Sequence, residues 1–222
     1  MLSFFKSYKL FAIVFAIISI VIMALIYNTL NVYQPLPIYQ PTMVSTELVD
    51  STIQYKKKYH KIADFSLTNQ NGKTITQNDY EDKIYVADFF FTTCQSICPI
   101  MTNHMADIQK EILDDDEVML LSHTVTPEID TVAQLKRYAI EKGVIDKKWN
   151  LVTGDKKQIY ELARKSYLAV KDNGDGGPFD MIHTENFMLI DKKRQIRGFY
   201  DGTKSEDIDR LLKDIEHLKK EP

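Results

Sequence analysis

The chain has 222 residues, enough for one medium-sized domain with appendages but too few for a large multidomain enzyme. Its net charge of −3 and its 27% of charged residues argue against a disordered chain and against a nucleic-acid binder that depends on a basic face. No Asp, Glu, Lys or Arg stands between Lys9 and Glu47. The sequence therefore joins an uncharged leader to a charged remainder of net charge −5, with 26 basic and 31 acidic residues, since Lys6 and Lys9 precede the leader.

The leader has the length of a membrane span. Residues 10–27 are apolar except for Ser19, and as a helix they would extend about 27 Å, close to the thickness of bilayer hydrocarbon. Lys6 and Lys9 precede this run and no charge follows it closely, which favours a cytoplasmic N-terminus and an exported domain. We therefore predict a cytoplasmic N-terminus at 1–9, a transmembrane anchor at 10–30, an extended proline-bearing tether at 31–59 and a folded domain at 60–222.

Two other kinds of leader fit less well. A cleaved signal peptide normally has a shorter apolar region and a small-x-small cleavage site, which the run lacks. A lipoprotein anchor needs a cysteine just after the apolar run, but the first cysteine is Cys94. A single-pass anchor with the C-terminal domain outside the cytoplasm is the prediction that remains.

The first elements of the domain read as a hairpin followed by a buried strand. Apolar periodicity predicts a short strand at 62–67, the Asn-Gly pair in 69–72 favours a tight turn, and 74–75 pairs back. The stretch 84–92 is almost continuously apolar, which is typical of a central strand buried on both faces. Such a strand must lie inside a sheet that helices cover.

The next elements predict a parallel pair of strands. A helix begins at Pro99, a second buried strand covers 118–125, and a second helix follows with Asp130 near its cap and Gly143 past its end. A strand, helix, strand, helix order calls for parallel pairing. The remaining elements are a helix at 156–167 after Asp155, a Gly-rich loop at 173–178, a hairpin of strands at 186–191 and 195–200, and an amphipathic helix at 205–218.

This order of elements is similar to the thioredoxin fold, although doubly wound sheets share its first half. We predict an α/β protein with a thioredoxin-like fold and an N-terminal hairpin extension, preceded by one transmembrane helix.

Cys94 and Cys98 are the only cysteines, and they fall on the turn between the first long strand and its helix. Two sulfurs at the start of a helix can converge on a metal, because the helix N-terminus favours thiolates. The spacing alone leaves three interpretations open: a local stabilising disulfide, a redox-active pair, or part of a metal site. A soft metal ion usually needs a further donor, and imidazole is the usual one.

Five histidines could supply that donor. We expect His60 and His217 to be solvated in lysine-rich surroundings, and His104 to point to another face of the cysteine helix. His123 lies in a buried strand, where a hydrogen-bonded core histidine competes with an auxiliary role at the site. His183 precedes the strand at 186–191, whose start lies next to the cysteine turn in a thioredoxin-like topology.

Residues 88–99, DFFFTTCQSICP, resemble the Sco/SenC family, whose pattern is an aromatic strand, T-x-C-x-x-x-C-P and a distant histidine. The resemblance covers roughly residues 60–218. Three further segments agree with it: Thr126-Pro127-Glu128-x-Asp130, Leu151-Val152-Thr153-Gly154, and His183-Thr184 leading into Phe187-Met188-Leu189-Ile190-Asp191.

The resemblance implies a copper metallochaperone rather than an enzyme. Its copper ligands would be Cys94, Cys98 and His183, a soft set that suits Cu(I) and can also hold Cu(II). The implied acceptor is the binuclear copper centre in subunit II of cytochrome c oxidase, with an upstream copper donor or thiol reductant as a further partner. The implied location is the bacterial inner membrane, with the domain in the periplasm or outside.

Two other functions stay open. Cys94 and Cys98 could cycle between dithiol and disulfide as a thiol:disulfide oxidoreductase that keeps the acceptor's cysteines reduced, or the domain could be a membrane-tethered interaction module with a structural disulfide. The chain departs from the family pattern at Thr126, where Asp is common, and at Met181-Ile182, where an acidic pair is common; Asp180 can substitute there. These departures bear on copper affinity and redox potential more than on the ligand set.

Overall fold

The computed structural model forms two compact units, Met1–Pro35 and Leu36–Pro222. The predicted Gly-rich loop at 173–178 and Asp180 lie outside the residues that it describes. The described residues are 8–30, 35–45, 49, 52–56, 58–170 and 181–221.

The first unit contains helix α1, Lys9–Leu30. Its large apolar side chains are exposed all around the helix, from Leu10 to Tyr27. The stretch Lys9–Tyr27 is long and apolar enough to cross a membrane, judged by length and composition only. The helix therefore has the properties that the sequence predicts for the anchor.

The second unit is built on one seven-stranded sheet with the order β2-β1-β5-β4-β3-β6-β7. Strand β3 runs parallel to β4 and β4 parallel to β5, whereas the other pairs are antiparallel. This confirms the predicted parallel pair and the N-terminal hairpin. The strands are β1 Ser66–Asn69, β2 Thr74–Thr76, β3 Ile84–Phe90, β4 Val118–Thr124, β5 Trp149–Thr153, β6 Asn186–Ile190 and β7 Ile196–Asp201.

Capping residues mark two helix starts and one helix end in this unit. Thr131 accepts a hydrogen bond from the Gln134 N–H at the start of α3, Gly143 ends α3 in the left-handed region at φ 70°, and Asp155 caps α4. Helix α4 continues into a π-helical turn, Leu162–Ser166. The helices are α2 Cys98–Glu111, α3 Val132–Lys142, α4 Lys156–Glu161 and α5 Ser205–Leu218, with 3₁₀ turns at Pro41–Met43 and Gln77–Tyr80.

One local prediction needs correction, and one strand was missed. The strand expected at 62–67 begins only at Ser66, because Ile62 instead donates its N–H to the carbonyl of Arg194 at 2.9 Å. Asp130 lies next to the start of α3, as predicted, and the capping residue itself is Thr131. Strand β5 was not predicted, since its buried Asn150 interrupts the apolar pattern.

The sheet separates two hydrophobic cores. Val86, Phe90 and Cys98 belong to one core, which α2, α3 and α5 cover; we call it the cysteine face. Ala87 and Phe89 belong to the other, which contains side chains of α4; we call it the histidine face, because Ile182 beside His183 belongs to it. Successive residues of β3 thus serve opposite cores, as strand geometry requires.

The compact unit includes part of the predicted tether. Arg197 of β7 donates hydrogen bonds to the carbonyls of Leu36 at 2.7 Å and Pro37 at 3.2 Å, while its guanidinium also pairs with Asp191 and Glu221. An uncharged, proline-containing segment suits this position, because its carbonyls can satisfy a buried guanidinium. Leu36 and Pro37 therefore pack on the domain.

Candidate metal and thiol site

The two cysteines lie together at the carboxyl end of β3. Cys94 is half-buried in the loop after the strand, where its N–H donates to the carbonyl of Phe91 at 3.3 Å. Cys98 is the first residue of α2 and is buried, with 4% of its surface exposed. Pro99 suits the first turn of this helix because its missing N–H would have no partner there. Both cysteines are free thiols.

The environments of the two thiols move their pKa values in opposite directions. Burial acts to raise the pKa of Cys94, but hydrogen bonds from Cys98 and Ser96 outweigh it and lower this pKa to about 7. The Ser96 hydroxyl lies 3.5 Å from the sulfur of Cys94. Burial raises the pKa of Cys98 to about 12. Above about pH 7 the pair therefore holds one thiolate, on the more accessible sulfur, and one proton, on Cys98.

A buried carboxylate holds the loop that leads to Cys94. Asp130 is fully buried and accepts hydrogen bonds from the Thr92 N–H at 3.2 Å, the Thr92 hydroxyl at 2.5 Å and the Thr126 hydroxyl at 3.0 Å. The Thr124 hydroxyl also donates to it. Asp130 thus ties the end of β3 to the end of β4. This role was not predicted, although Thr124 and Thr126, close to Asp130 in sequence, were an available signal.

A second buried carboxyl, Asp88, lies on the cysteine face. The hydroxyl of Ser122 donates to it, and the indole Nε1 of Trp149 lies 2.8 Å from that hydroxyl oxygen. Burial raises the pKa of Asp88 to about 7, and its charge contributes to the raised pKa of Cys98. Within the sequence, Asp88 was only one residue of an apolar run.

His183 lies beside the cysteine loop. Strand β6 runs antiparallel to β3, with Met188 opposite Ala87, so the segment before β6 reaches the carboxyl end of β3. There the exposed ring of His183 packs edge-on against the ring of Phe91, with 5.7 Å between centroids. The predicted proximity of this segment to the cysteine turn is confirmed.

The three predicted ligands are not assembled as a finished metal site. Across the described residues, no group of three His, Cys, Asp or Glu side chains is arranged to hold a metal ion. Cys94 and Cys98 lie together, whereas the ring of His183 packs against Phe91. Three-coordinate binding would therefore require His183 to move towards the sulfurs.

Three of the other histidines occupy places of their own. The prediction that His60 is solvated is wrong, because it is buried with Nε2 2.7 Å from the carbonyl of Ser166, and burial lowers its pKa. His217 is half-buried rather than solvated. His104 places Nδ1 2.8 Å from the carbonyl of Gly202, on the side of α2 that faces the start of α5.

His123 is a core residue of an unusual kind. It is fully buried among the rings of Phe89, Tyr167 and Phe65, at centroid distances of 4.9, 5.2 and 6.2 Å. Burial lowers its pKa to about 3. Among the described residues, neither ring nitrogen has a hydrogen-bond partner. The prediction of a core histidine is confirmed, but the expected hydrogen bond is not found there.

The model of the SCO1/SenC family matches residues 53–220. The chain belongs to this family. A curated SCO1 protein homolog from Bacillus subtilis is 31% identical over 158 residues, which cover 70% of this chain and 81% of the relative. The resemblance seen in the cysteine motif is thereby confirmed.

Solved structures of SCO1/SenC proteins share the fold. BsSco, described as a member of the Sco family of cytochrome c oxidase assembly proteins, is 29% identical, with a TM-score of 0.63 over 73% of this chain and 95% of that one. ScoI from Arabidopsis thaliana, solved with copper bound, is 26% identical, with a TM-score of 0.57 over 72% of this chain and 98% of that one. The predicted thioredoxin-like architecture is confirmed by these matches.

Proposed function

We propose that this SCO1/SenC protein is a copper carrier that binds one copper ion through Cys94, Cys98 and His183. The observation that carries the proposal is the pair of free thiols at the carboxyl end of β3, with a histidine beside their loop. The copper-bound ScoI structure of a relative supports it.

The donor set fits copper chemically. Two thiolates favour the soft ion Cu(I), and an imidazole nitrogen extends the site to Cu(II), whereas zinc prefers a fourth ligand. Cys94 offers a thiolate near neutral pH, and Cys98 must release its proton when the metal binds. A three-coordinate ion at a half-buried thiol stays open to attack by an acceptor's cysteine, so release by ligand exchange is possible.

The acceptor we propose is the binuclear copper centre in subunit II of cytochrome c oxidase, in keeping with the oxidase assembly role of the family to which BsSco belongs. In this proposal α1 is a single-pass anchor in the bacterial inner membrane, with residues 1–9 in the cytoplasm and the domain in the periplasm or outside. Anchoring would keep the carrier in the plane of its acceptor and raise their effective concentration. An upstream protein would supply the copper.

The test is a Cu(I) titration of the reduced full-length chain in detergent, against a chromophoric chelator. The wild type should bind a single equivalent, and Cys94→Ser should bind none. His183→Ala should keep the fold but lose affinity about 10- to 100-fold. His104→Ala is the matched control, because that ring lies against Gly202. Unchanged affinity in His183→Ala would rule out the three-ligand site.

The opposite pKa shifts of the two thiols favour a second candidate, a thiol:disulfide reductase. The Cys94 thiolate would attack a substrate disulfide and form a mixed disulfide, and the first substrate sulfur would leave as a thiolate. Cys98 would then attack Cys94, giving its proton to the second leaving sulfur, while the first substrate thiolate takes a proton from solvent, so that the substrate becomes a dithiol and the protein a disulfide. A chain that takes up no copper yet catalytically reduces a peptide disulfide would favour this candidate.

A further inference from the structure

The short segment before β6 presents two soft-metal donors to solvent. Exposure alternates along it: Met181 is 49% exposed, Ile182 is 3% exposed, His183 is exposed and Thr184 is 6% exposed. This alternation is typical of an extended chain, in which alternate side chains point to the same side. The thioether of Met181 and the imidazole of His183 therefore project together on the solvent side.

The two buried neighbours fix this orientation. Ile182 belongs to the hydrophobic core of the histidine face. The hydroxyl of Thr184 donates to the carbonyl of Ala169 at 2.8 Å. Turning the segment over would expose Ile182 and remove this hydrogen bond, which would cost burial free energy as well as the bond. Met181 and His183 are thus held outward by the fold.

The exposed pair lies on the approach to the thiols. The ring of His183 packs on Phe91, and the carbonyl of Phe91 accepts the hydrogen bond from the N–H of Cys94. Cys98 is almost fully buried and Cys94 is half-buried, so a copper ion arriving from solvent meets more accessible donors at Met181 and His183. A thioether and a neutral imidazole are both ligands for Cu(I), and a thioether also discriminates against hard cations.

We propose that Met181 and His183 form a two-donor capture site, which takes Cu(I) from a soft-ligand donor and passes it to Cys94. This inference rests on the proposed copper function. Each step is a ligand exchange in which copper stays Cu(I): the incoming donor releases the ion to the thioether and imidazole, the Cys94 thiolate then displaces the thioether, and His183 remains bound as the ion moves inward. Cys98 completes the set by losing its proton to solvent.

The capture site predicts a kinetic effect without an equilibrium effect. Reduced full-length chain in detergent is mixed with the Cu(I) complex of bicinchoninate, and loading is followed by stopped-flow absorbance. Met181→Leu should slow loading about tenfold, within the range that changes around a metal site produce, and should leave the final Cu(I) affinity unchanged. Met43→Leu, a change at another exposed methionine, should load at the wild-type rate.

Two outcomes of this experiment would overturn the proposal. An unchanged loading rate in Met181→Leu would show that the thioether takes no part in capture. A loss of affinity at an unchanged rate would show that Met181 is a resident ligand of the loaded site instead.

A second experiment separates capture from the proposed function. In the double variant Cys94→Ser, Cys98→Ser, labelled at the methionine methyl groups, Ag(I) serves as a diamagnetic probe for Cu(I). The Met181 methyl and His183 ring resonances should shift together, and adding Met181→Leu should abolish the His183 shift. Absence of both shifts would overturn the capture site even if wild type binds copper. Shifts in the double variant with no copper bound by wild type would instead overturn only the proposed function.

Discussion

The two faces of the sheet treat buried polar groups in opposite ways. Asp88 on β3 and His123 on β4 are both buried, but Asp88 is opposite Ser122 and His123 is opposite Phe89 in the strand register, so they serve different cores. On the cysteine face, Ser122 and Trp149 form a hydrogen-bonded chain that ends on Asp88. On the histidine face, His123 is surrounded by aromatic rings, and its nitrogens have no partner among the described residues.

The residues of the candidate site come from both faces of the sheet. Cys98 belongs to the core of the cysteine face and Ile182, next to His183, to the core of the histidine face, while Phe91 packs against both. The proposed copper ligands therefore come from two separately packed regions that meet at one end of the sheet. A substitution in the core of the cysteine face is therefore expected to affect Cys98, and one in the core of the histidine face to affect His183.

The largest expected effect is on the histidine face. Because the pKa of His123 is about 3 when folded and 6.5 in the unfolded chain, the unfolded state takes up its proton first as the pH falls. The stability that neutral His123 contributes is present above pH 6.5 and is lost towards pH 3, by about 1.4 kcal/mol per pH unit. His123→Phe should remove this slope, measured as the free energy of urea unfolding against pH.

The prediction is decided by comparing how the free energy of unfolding depends on pH in wild type and in His123→Phe. A larger ring adds a packing cost of about 1 kcal/mol that does not depend on pH. His60, whose pKa burial also lowers, contributes a slope of the same sign to both proteins. Parallel curves for wild type and His123→Phe would contradict the view that His123 is held neutral in the core.

The cysteine face should show the opposite pH dependence over a slightly narrower range. The pKa of Asp88 is about 7 when folded and 3.8 when unfolded, so its neutral form stabilises the fold below pH 3.8, and this stability is lost as the pH rises towards 7. The loss is about 1.4 kcal/mol per pH unit. In Asp88→Asn this slope should be absent, so that the free energy of unfolding of the variant increases relative to that of wild type as the pH rises. A free energy of unfolding of Asp88→Asn that falls below that of wild type above pH 7 would mean that ionised Asp88 stabilises the fold.

A smaller difference in the free energy of unfolding is expected between the hydrogen bonds that hold the cysteine loop and those that hold the segment before β6. Asp130→Ala removes the acceptor for four hydrogen bonds on the cysteine side and should lower the free energy of unfolding by about 3 kcal/mol. Thr184→Val removes the bond to Ala169 and the acceptor for the Asn186 N–H on the histidine side and should cost about 1 kcal/mol. Equal losses in urea unfolding would show that the cysteine loop is not the more firmly anchored segment.

The smallest effect concerns the thiols themselves. Alkylation of Cys94 by iodoacetamide should have its midpoint near pH 7, because the thiolate is the reactive form. Cys98→Ala removes the strongest hydrogen bond to Cys94 and should move this midpoint up towards 9.0, so that alkylation at pH 7 slows. Ser96→Ala should move it less. A midpoint that stays near pH 7 in Cys98→Ala would show that the two thiols do not interact.

Local patterns were enough to predict much of the fold. The amphipathic helix Ser205–Leu218 has the predicted bounds, and the buried strands Ile84–Phe90 and Val118–Thr124 differ from prediction by one or two residues at one end. Such elements are readable because apolar spacing and capping residues act within a few positions of the chain. Strand β5 escaped prediction since Asn150 is satisfied by Asn69 and Tyr80, which are distant in sequence.

The available chemistry can be read from the sequence: an apolar helix of membrane-spanning length, two cysteines on a strand-to-helix turn, and a histidine ahead of a later strand. The differences between these groups arise from the tertiary structure. Cys94 and Cys98 are the same residue type, yet burial and mutual hydrogen bonding separate their pKa values. His60 is buried although its lysine-rich neighbours indicate a solvated residue, because burial depends on contacts between distant segments, whereas residue type and spacing are local properties.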